Sequence, residues 1–349
     1  MRTPGLRLLE ALATPHGVDR YLELINPMLV VRDLRGEVTA VHRSTPDTVT
    51  LTIRPTRRWR GFAAGQYVRV SVDIDGVRRT RCYSPATSQH RDGGFELIVK
   101  AHHEGLVSRW LRENAKPGLV LHLSQPEGTF TLPAARPDKI LLISGGSGIT
   151  PVLSMLRTLA DEGYRGEVAF LHYAYRESDV PAIDELRSRG AVLAYTNAHN
   201  GDLTGFFDET HLRKVAPWYA EAHTYLCGPP GLMGGVRQIY TDLGVADRLH
   251  TEDFAPAPIA VDAADATGDV TFVRSDMTAA NSGATLLDQA EAAGLRPEHG
   301  CRMGICFSCT RVKTTGCVRD VRNGALSTDP DEEIQLCVSV PVGDVAIDL

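Results

Sequence analysis

The sequence predicts a multidomain chain: an antiparallel β-barrel, then an α/β domain on a parallel sheet, then a smaller module that gathers most of the cysteines. Three observations lead there. From Glu37 onward apolar residues alternate with period two, as in Val68, Val70, Val72 and Ile74. From Lys139 short unbroken apolar strands alternate with helical stretches. After a linker rich in Ala, Pro and Asp, a cysteine cluster sits in the last 81 residues.

A chain of 349 residues suits two to three domains. With 43% hydrophobic and 23% charged residues it can bury cores without disulfide staples. Apolar runs such as Ile140–Ile143 are too short to span a bilayer, and no segment reads as a secretory signal, so the expected location is the cytoplasm and the chain is not expected to be transmembrane. Seven cysteines, an odd number bunched late in the chain, argue for metal ligation in a reducing compartment rather than a disulfide framework. Residues 1–264 carry 30 charges of each sign, whereas Asp265 onward carries 13 acidic and 7 basic residues. The whole excess of −6 therefore lies in the last module, and the clustered basic footprint of nucleic-acid binding is missing.

Taken in order, residues 1–35 carry a helical apolar pattern (Leu6, Leu9, Leu12, then Tyr21, Leu22, Leu24, Ile25, Leu29) and form an extension that docks on the protein itself or on a partner. Residues 36–134 hold the alternating strands, interrupted by one helix near Gly105–Asn114, and predict a small antiparallel barrel. Residues 137–254 predict the parallel α/β domain, 255–268 the linker, and 269–349 the third module. No internal repeat is visible.

The strongest single signal is Cys301-x4-Cys306-x2-Cys309 with a distant Cys337. This is the plant-type spacing for a [2Fe–2S] cluster, three thiolates converging from one loop and a fourth arriving from elsewhere. Zinc sites usually show two C-x2–4-C knuckles, and only one C-x2-C occurs here. Cys317 competes for the fourth place, but the interval after Cys309 reads as a strand leading away, whereas Cys337 sits in an apolar stretch able to return.

With these motifs in order, the chain resembles the ferredoxin–NADP reductase superfamily, specifically members with a plant-type ferredoxin domain fused at the C-terminus, over roughly residues 36–349. The resemblance implies an α+β (β-grasp) fold for the last module and a role as reductase component of oxygenases, hydroxylases or desaturases. The extension, with Tyr21-Leu-Glu-Leu-Ile-Asn-Pro-Met, looks most like reductases paired with actinobacterial desaturases.

Arg81-Cys-Tyr83-Ser84 is similar to the family's Arg-x-Tyr-Ser motif. The similarity implies that Arg81 holds a flavin phosphate, Tyr83 packs on the flavin and Ser84 lies near its N5. A guanidinium fork suits phosphate oxygens. Downstream, Lys100 leads to Gly105-Leu-Val107-Ser108, a glycine turn opening a helix and hence an anion site fit for a pyrophosphate. Resemblance to the FAD-binding members favours FAD over the FMN of phthalate-dioxygenase-type reductases. His102 and His103 are adjacent on an extended stretch and point to opposite faces, which disfavours joint ligation.

Ser144-Gly145-Gly146-Ser-Gly148-Ile-Thr150-Pro151 follows an apolar strand and opens a helix. It suits a pyrophosphate but is neither the G-x-G-x-x-G fingerprint nor a lysine-bearing phosphate loop. It matches the family's Gly-Gly-x-Gly-x-Thr-Pro, which implies Thr150 at the flavin–nicotinamide junction. Cys227-Gly228-Pro229 resembles the second nicotinamide loop, implying Cys227 beside the nicotinamide C4; a buried structural thiol is the bland alternative. By the same resemblance Phe254 covers the flavin. Arg176 is placed for an adenosine 2′-phosphate, but the family's next Ser-Arg pair is replaced by Thr196-Asn197, so the choice leans only slightly to NADPH over NADH.

The expected activity is NAD(P)H-dependent electron transfer through FAD and the cluster to a separate terminal oxygenase, desaturase or haem monooxygenase, itself membrane-bound or not. Ser84, Thr150 and Cys227 are the candidates nearest the hydride. A stand-alone diaphorase would leave the cluster superfluous, and a redox sensor would call for an effector module that the chain does not show.

Overall fold

Period-two alternation builds the first sheet. Strands β1 (Arg35–Thr45), β2 (Thr48–Pro55), β3 (Val68–Ile74), β4 (Val77–Tyr83), β5 (Phe95–Lys100) and β6 (Val120–Leu123) run in the order β4-β3-β6-β1-β2-β5. An antiparallel bridge between Pro85 and Leu97 joins the chain beyond β4 to β5 and links the two edges of the sheet. The inward residues Val49, Leu51, Ile53, Val68, Val70 and Leu97 are fully buried, and the helix Leu106–Asn114 adds Val107 and Leu111 to the same core.

The computed structural model describes residues 18–102, 105–254, 266–300, 302, 304 and 307–349. Ahead of β1, helix α1 covers only Val18–Leu22; Leu6, Leu9 and Leu12 lie outside the described residues. The expected long helical pattern therefore stops early. Beyond Leu22 the chain turns: Asn26 accepts the Met28 N–H on its side chain, and Pro27 cannot continue a helix interior. The rest of the extension folds back on its own protein. The Asp19 carboxylate accepts the N–H groups of Val31, Arg32 and Asp33.

The helix Leu106–Asn114 is α2. The second sheet is parallel: β7 (Lys139–Gly145), β8 (Glu167–Ala174), β9 (Val192–Tyr195), β10 (Leu203–Thr204), β11 (His223–Cys227) and β12 (Leu249–Glu252), in the order β10-β9-β8-β7-β11-β12. Helices α3 (Ile149–Asp161), α4 (Ile183–Ser188), α5 (Glu209–Val215) and α6 (Pro230–Asp242) connect its strands. The strand order reverses between β7 and β11, so their carboxyl ends form a topological switch point, where such sheets bind ligands.

The described residues from Ala266 to Leu349 belong to a separate compact unit. Its sheet orders β14 (Met277–Ala280), β13 (Asp269–Phe272), β18 (Ser339–Ile347), β15 (Thr310–Asp320) and β16 (Leu326–Ser327), with β17 (Glu332–Gln335) also paired to β15. Only the β13–β18 pair is parallel. Helix α7 (Leu286–Ala292) buries Leu286, Leu287 and Ala290 in one core with Phe272, Val318 and Val345. This is the expected α+β, β-grasp arrangement. Among the described residues no helix is long and apolar enough to cross a membrane.

Candidate active site and cluster loop

The segment after β4 is tied to helix α3 at several points. Ser154 donates to the Thr87 carbonyl at 2.6 Å, Thr158 Oγ1 accepts the Gln89 N–H at 3.1 Å, and Arg157 donates to the Ala86 carbonyl at 2.8 Å. Arg157 is itself held by Glu185 at 2.6 Å and Glu96 at 3.2 Å. The strand end carrying Tyr83 and Ser84 is thereby fixed to the helix that opens at the glycine loop. Ser84 is buried, and its hydroxyl has no partner among the described residues. A buried hydroxyl left unpaired costs about 1–3 kcal/mol, so such a group in a native site calls for a ligand atom. The neighbouring Thr87 Oγ1 is equally unpartnered. Both orphans fit a bound cofactor with polar edges. Arg81 is partly buried on β4 and donates to the Thr80 carbonyl at 2.8 Å.

Lys100 ends β5, pairs with Asp47 at 3.3 Å and lies 5.9 Å from the Tyr175 ring centre. Gly105 precedes α2, and the Ser108 hydroxyl donates back to the Gly105 carbonyl at 3.2 Å. The Val107 side chain is fully buried in the barrel core, so it can serve an anion only through its backbone N–H, as a first-turn residue of α2. His103 lies outside the described residues.

At the switch point two loops pack against each other. The 3-10 turn Gly146–Gly148 follows β7, and Thr150 and Pro151 lie in the first turn of α3. A Cβ on Gly148 would stand 2.3 Å from the Cys227 carbonyl oxygen. Only glycine permits that approach. Before the turn, Ser144 shares a 2.8 Å hydrogen bond with His172, whose pKa is driven down to about 3 by burial and by Lys100. The imidazole is therefore neutral at every working pH.

Cys227 ends β11, in register with Ser144 of β7 and Glu252 of β12. Burial, aided by Glu252 and Asp253, pushes its thiol well above the ordinary range, so it acts as a neutral, compact group. Glu252 was not singled out by sequence reasoning. Burial and the Asp253 charge push its carboxyl up to about 8, and Oε2 is buried without a partner. Asp253 itself is ion-paired to Arg237 at 2.6 Å. The only sequence signal was position: an acid at the carboxyl end of the strand beside Cys227. Gly228 and Pro229 lead into α6, and Phe254 follows β12 with 37% of its surface exposed.

Arg176 lies after β8 and is largely exposed, loosely tied to Asp179 at 3.4 Å. The backbone of Thr196 and Asn197 runs alongside, their N–H groups bonded to Ala174 and Tyr175 carbonyls. The neighbouring Glu177 is engaged by Arg187 and Asn200, each at 3.1 Å.

In the other unit Cys301 and Cys306 lie outside the described residues, while Cys309 and Cys337 are both buried. Cys337 sits in a 3-10 turn, Leu336–Val338, rather than in the expected strand. That turn is pinned to the cluster loop, since Leu336 N donates to the Cys309 carbonyl at 3.2 Å. Cys317 lies well along β15 from Cys309, up to about 26 Å away at the usual rise per strand residue. Arg302 and Phe307 take left-handed backbone, as tight loops with converging N–H groups require. Arg322, paired to Asp320 at 2.5 Å, clamps the loop by donating to the Gly304 carbonyl at 2.6 Å. Two buried thiols beside a tightly turned, N–H-rich loop fit an iron–sulfur group.

The chain matches three domain families in order: oxidoreductase FAD-binding domain over residues 36–132, oxidoreductase NAD-binding domain over 142–238, and 2Fe-2S iron-sulfur cluster binding domain over 271–342. It is 38% identical to an NADPH oxidoreductase of Mycobacterium tuberculosis, covering 100% of this chain and 94% of that one. It is 31% identical to a glycine betaine monooxygenase reductase subunit of Pseudomonas aeruginosa, covering 82% and 87%. The solved structure of phthalate dioxygenase reductase aligns with a TM-score of 0.59 at 25% identity, over 91% of this chain and 98% of that one. The protein is an NAD(P)H oxidoreductase that moves electrons through FAD to a [2Fe–2S] centre and out to a terminal oxygenase-type acceptor. It belongs to the ferredoxin–NADP reductase family, in the phthalate dioxygenase reductase arrangement with a C-terminal ferredoxin domain.

Proposed function

We propose that this chain is the dedicated reductase of one cytoplasmic two-protein system, and that its acceptor is a fatty-acyl desaturase, a hydroxylating oxygenase or a haem monooxygenase. Relatives named as monooxygenase and demethylase reductase subunits support a separate acceptor. The observation that carries the reading is the unpartnered Ser84 hydroxyl, on a segment stapled to the same helix that the glycine loop opens. Domain boundaries are set at 36–134, 137–254 and 269–349, with the extension 1–35 and the linker 255–268 between and before them.

Arg81, Tyr83 and Ser84, with the N-terminus of α2 at Gly105, Val107 and Ser108, hold FAD; Lys100, neutralised in part by Asp47, borders it. Gly145, Gly146, Gly148, Gly228 and Pro229 shape the nucleotide cradle, and Thr150 and Cys227 border the nicotinamide. Phe254 covers the flavin face until nucleotide displaces it. When bound, FAD accepts an electron pair as hydride and hands on single electrons, which the cluster carries. The protein's part is placement and exclusion of water. Cys227 stays a thiol, adding no charge near the nicotinamide. Glu252, neutral below about pH 8, likewise adds no charge that would hold a cationic oxidised ring in place. Arg176, exposed and only loosely tied to Asp179, suits a 2′-phosphate, and the adjacent Glu177 is already engaged by Arg187, which favours NADPH.

Cys301, Cys306, Cys309 and Cys337 ligate the cluster. C309S or C337S should strip the iron and the visible cluster bands while NADPH-driven ferricyanide reduction persists, and delivery to the protein acceptor should fail. C317S should keep full iron. Acceptor reduction that survives loss of the cluster would overturn the reading.

A further inference from the structure

We propose that residues 21–32 and the β2–β3 connection together form a contact surface for an anionic lipid bilayer. Four large apolar side chains within nine residues face solvent: Tyr21 at 44% exposure, Leu24 at 82%, Ile25 at 79% and Leu29 at 47%. Most other exposed large apolar residues are scattered singly, which is ordinary for a surface.

This loop is anchored from beneath. Arg35, buried, donates to the Pro27 carbonyl at 2.8 Å and pairs with Glu23 at 2.7 Å. Backbone bonds from Ile25 and Asn26 to Leu22, and from Leu29 to Asn26, set the turn. Asp19 then secures residues 31–33. The fold thus uses a buried arginine and a partly buried aspartate to present apolar tips outward.

A basic rim lies alongside. Arg35 and Thr56 exchange hydrogen bonds, and Arg58 donates to the Val31 carbonyl at 2.7 Å, which sets the stretch Thr56-Arg-Arg-Trp-Arg60 against the extension. Arg32, Arg57, Arg58 and Arg60 are all exposed. The nearby acids are already committed, Glu23 and Asp33 to Arg35 and Glu37 to Arg54. Aliphatic and tyrosine tips rimmed by exposed arginines are what an interfacial contact with anionic headgroups requires. The exposed cations Arg57, Arg58 and Arg60 beside the apolar tips complement a surface of anionic headgroups, and that charge complementarity selects an anionic bilayer as the occupant.

The test is sedimentation of the full-length holoprotein with vesicles of phosphatidylcholine alone or mixed equally with phosphatidylglycerol. The bound fraction should rise about tenfold with the anionic lipid and fall in about 0.5 M salt. L24S/I25S/L29S and R57Q/R58Q/R60Q should each lower it about tenfold while NADPH–ferricyanide turnover, which also reports folding, stays at the wild-type level. Absence of vesicle binding, indifference to lipid charge, or variants that bind like wild type would overturn the proposal. So would variants that lose only delivery to a detergent-solubilised acceptor, since the patch would then be a protein-docking site.

Discussion

Gly148→Ala places a methyl carbon 2.3 Å from the Cys227 carbonyl oxygen, 2.5 Å from its carbonyl carbon and 2.8 Å from the Gly228 nitrogen. All three are backbone atoms, so no side chain can swing aside. Gly148 has φ −66°, which alanine adopts without strain, and the whole effect is therefore steric. Restoring ordinary contact requires the two loops to part by about 1 Å, and overpacking of this kind costs about 1–3 kcal/mol of stability. A displacement of about 1 Å at a hydride-transfer site costs about 100-fold, or about 2.7 kcal/mol. NADPH–ferricyanide kcat/KM should fall accordingly, with Tm lower by a few degrees. Gly163→Ala, in the turn after α3 and away from the loops, is the control. Its φ of +60° strains an alanine, but the added methyl meets nothing within 4 Å. It should lower Tm comparably, by about 1–2 kcal/mol of backbone strain, while kcat stays within about threefold. If G148A turned over within threefold of wild type, or if both variants lost kcat equally, the idea that the abutting loops set the hydride geometry would fail.

Ser84→Ala removes a buried hydroxyl with no partner among the described residues, so Tm of the flavin-free protein should stay level or rise while the rate of flavin reduction in stopped flow falls; equal loss of both would contradict a cofactor role. Glu252 has a folded pKa raised to about 8 from an ordinary 4.5, so the unfolded chain releases its proton first and this group's contribution to stability declines as pH rises between those values. E252Q should flatten that decline in Tm across pH 5–8.5, and an unchanged profile would show that Glu252 does not titrate there. The excess of 13 acidic over 7 basic residues from Asp265 onward should make delivery to the protein acceptor slow with added salt while dye reduction does not, and salt-insensitive delivery would exclude steering by this module.

What sequence could and could not disclose follows from how local each determinant is. Barrel strands such as Val68–Ile74 write their burial directly into alternation, and the structure buries Val68, Val70, Val72 and Ile74. The cysteine spacing and the glycine loop are local backbone requirements, so they too were readable. The extension misled because its apolar spacing suits a helix, yet α1 ends at Leu22 and the apolar residues beyond it point to solvent. Periodicity reports which residues share a face, not whether anything covers that face. Val107 was chosen as part of a candidate anion-binding turn, but its side chain belongs to the barrel core, since the first turn of a helix can offer N–H groups on one side and an apolar side chain on the other.

Glu252 shows the limit most clearly. Nothing in Thr251-Glu-Asp-Phe254 marks one acid as neutral and its neighbour as charged. The difference arises only when β12 lies parallel to β11: Glu252 then falls in register with Cys227 and turns its Oε2 into the interior, while Asp253, one residue on, reaches Arg237 on α6. The same parallel register, with Ser144 on the far side of Cys227, collects a neutral imidazole, a neutral thiol and a neutral carboxyl around one strand end. With Cys227 bordering the nicotinamide as proposed, the chain at neutral pH thus brings few charges of its own to the place where that ring would change charge. A site so arranged discriminates against neither form of the ring by direct attraction, which suits an enzyme that must bind the reduced nucleotide and release the oxidised one in each cycle.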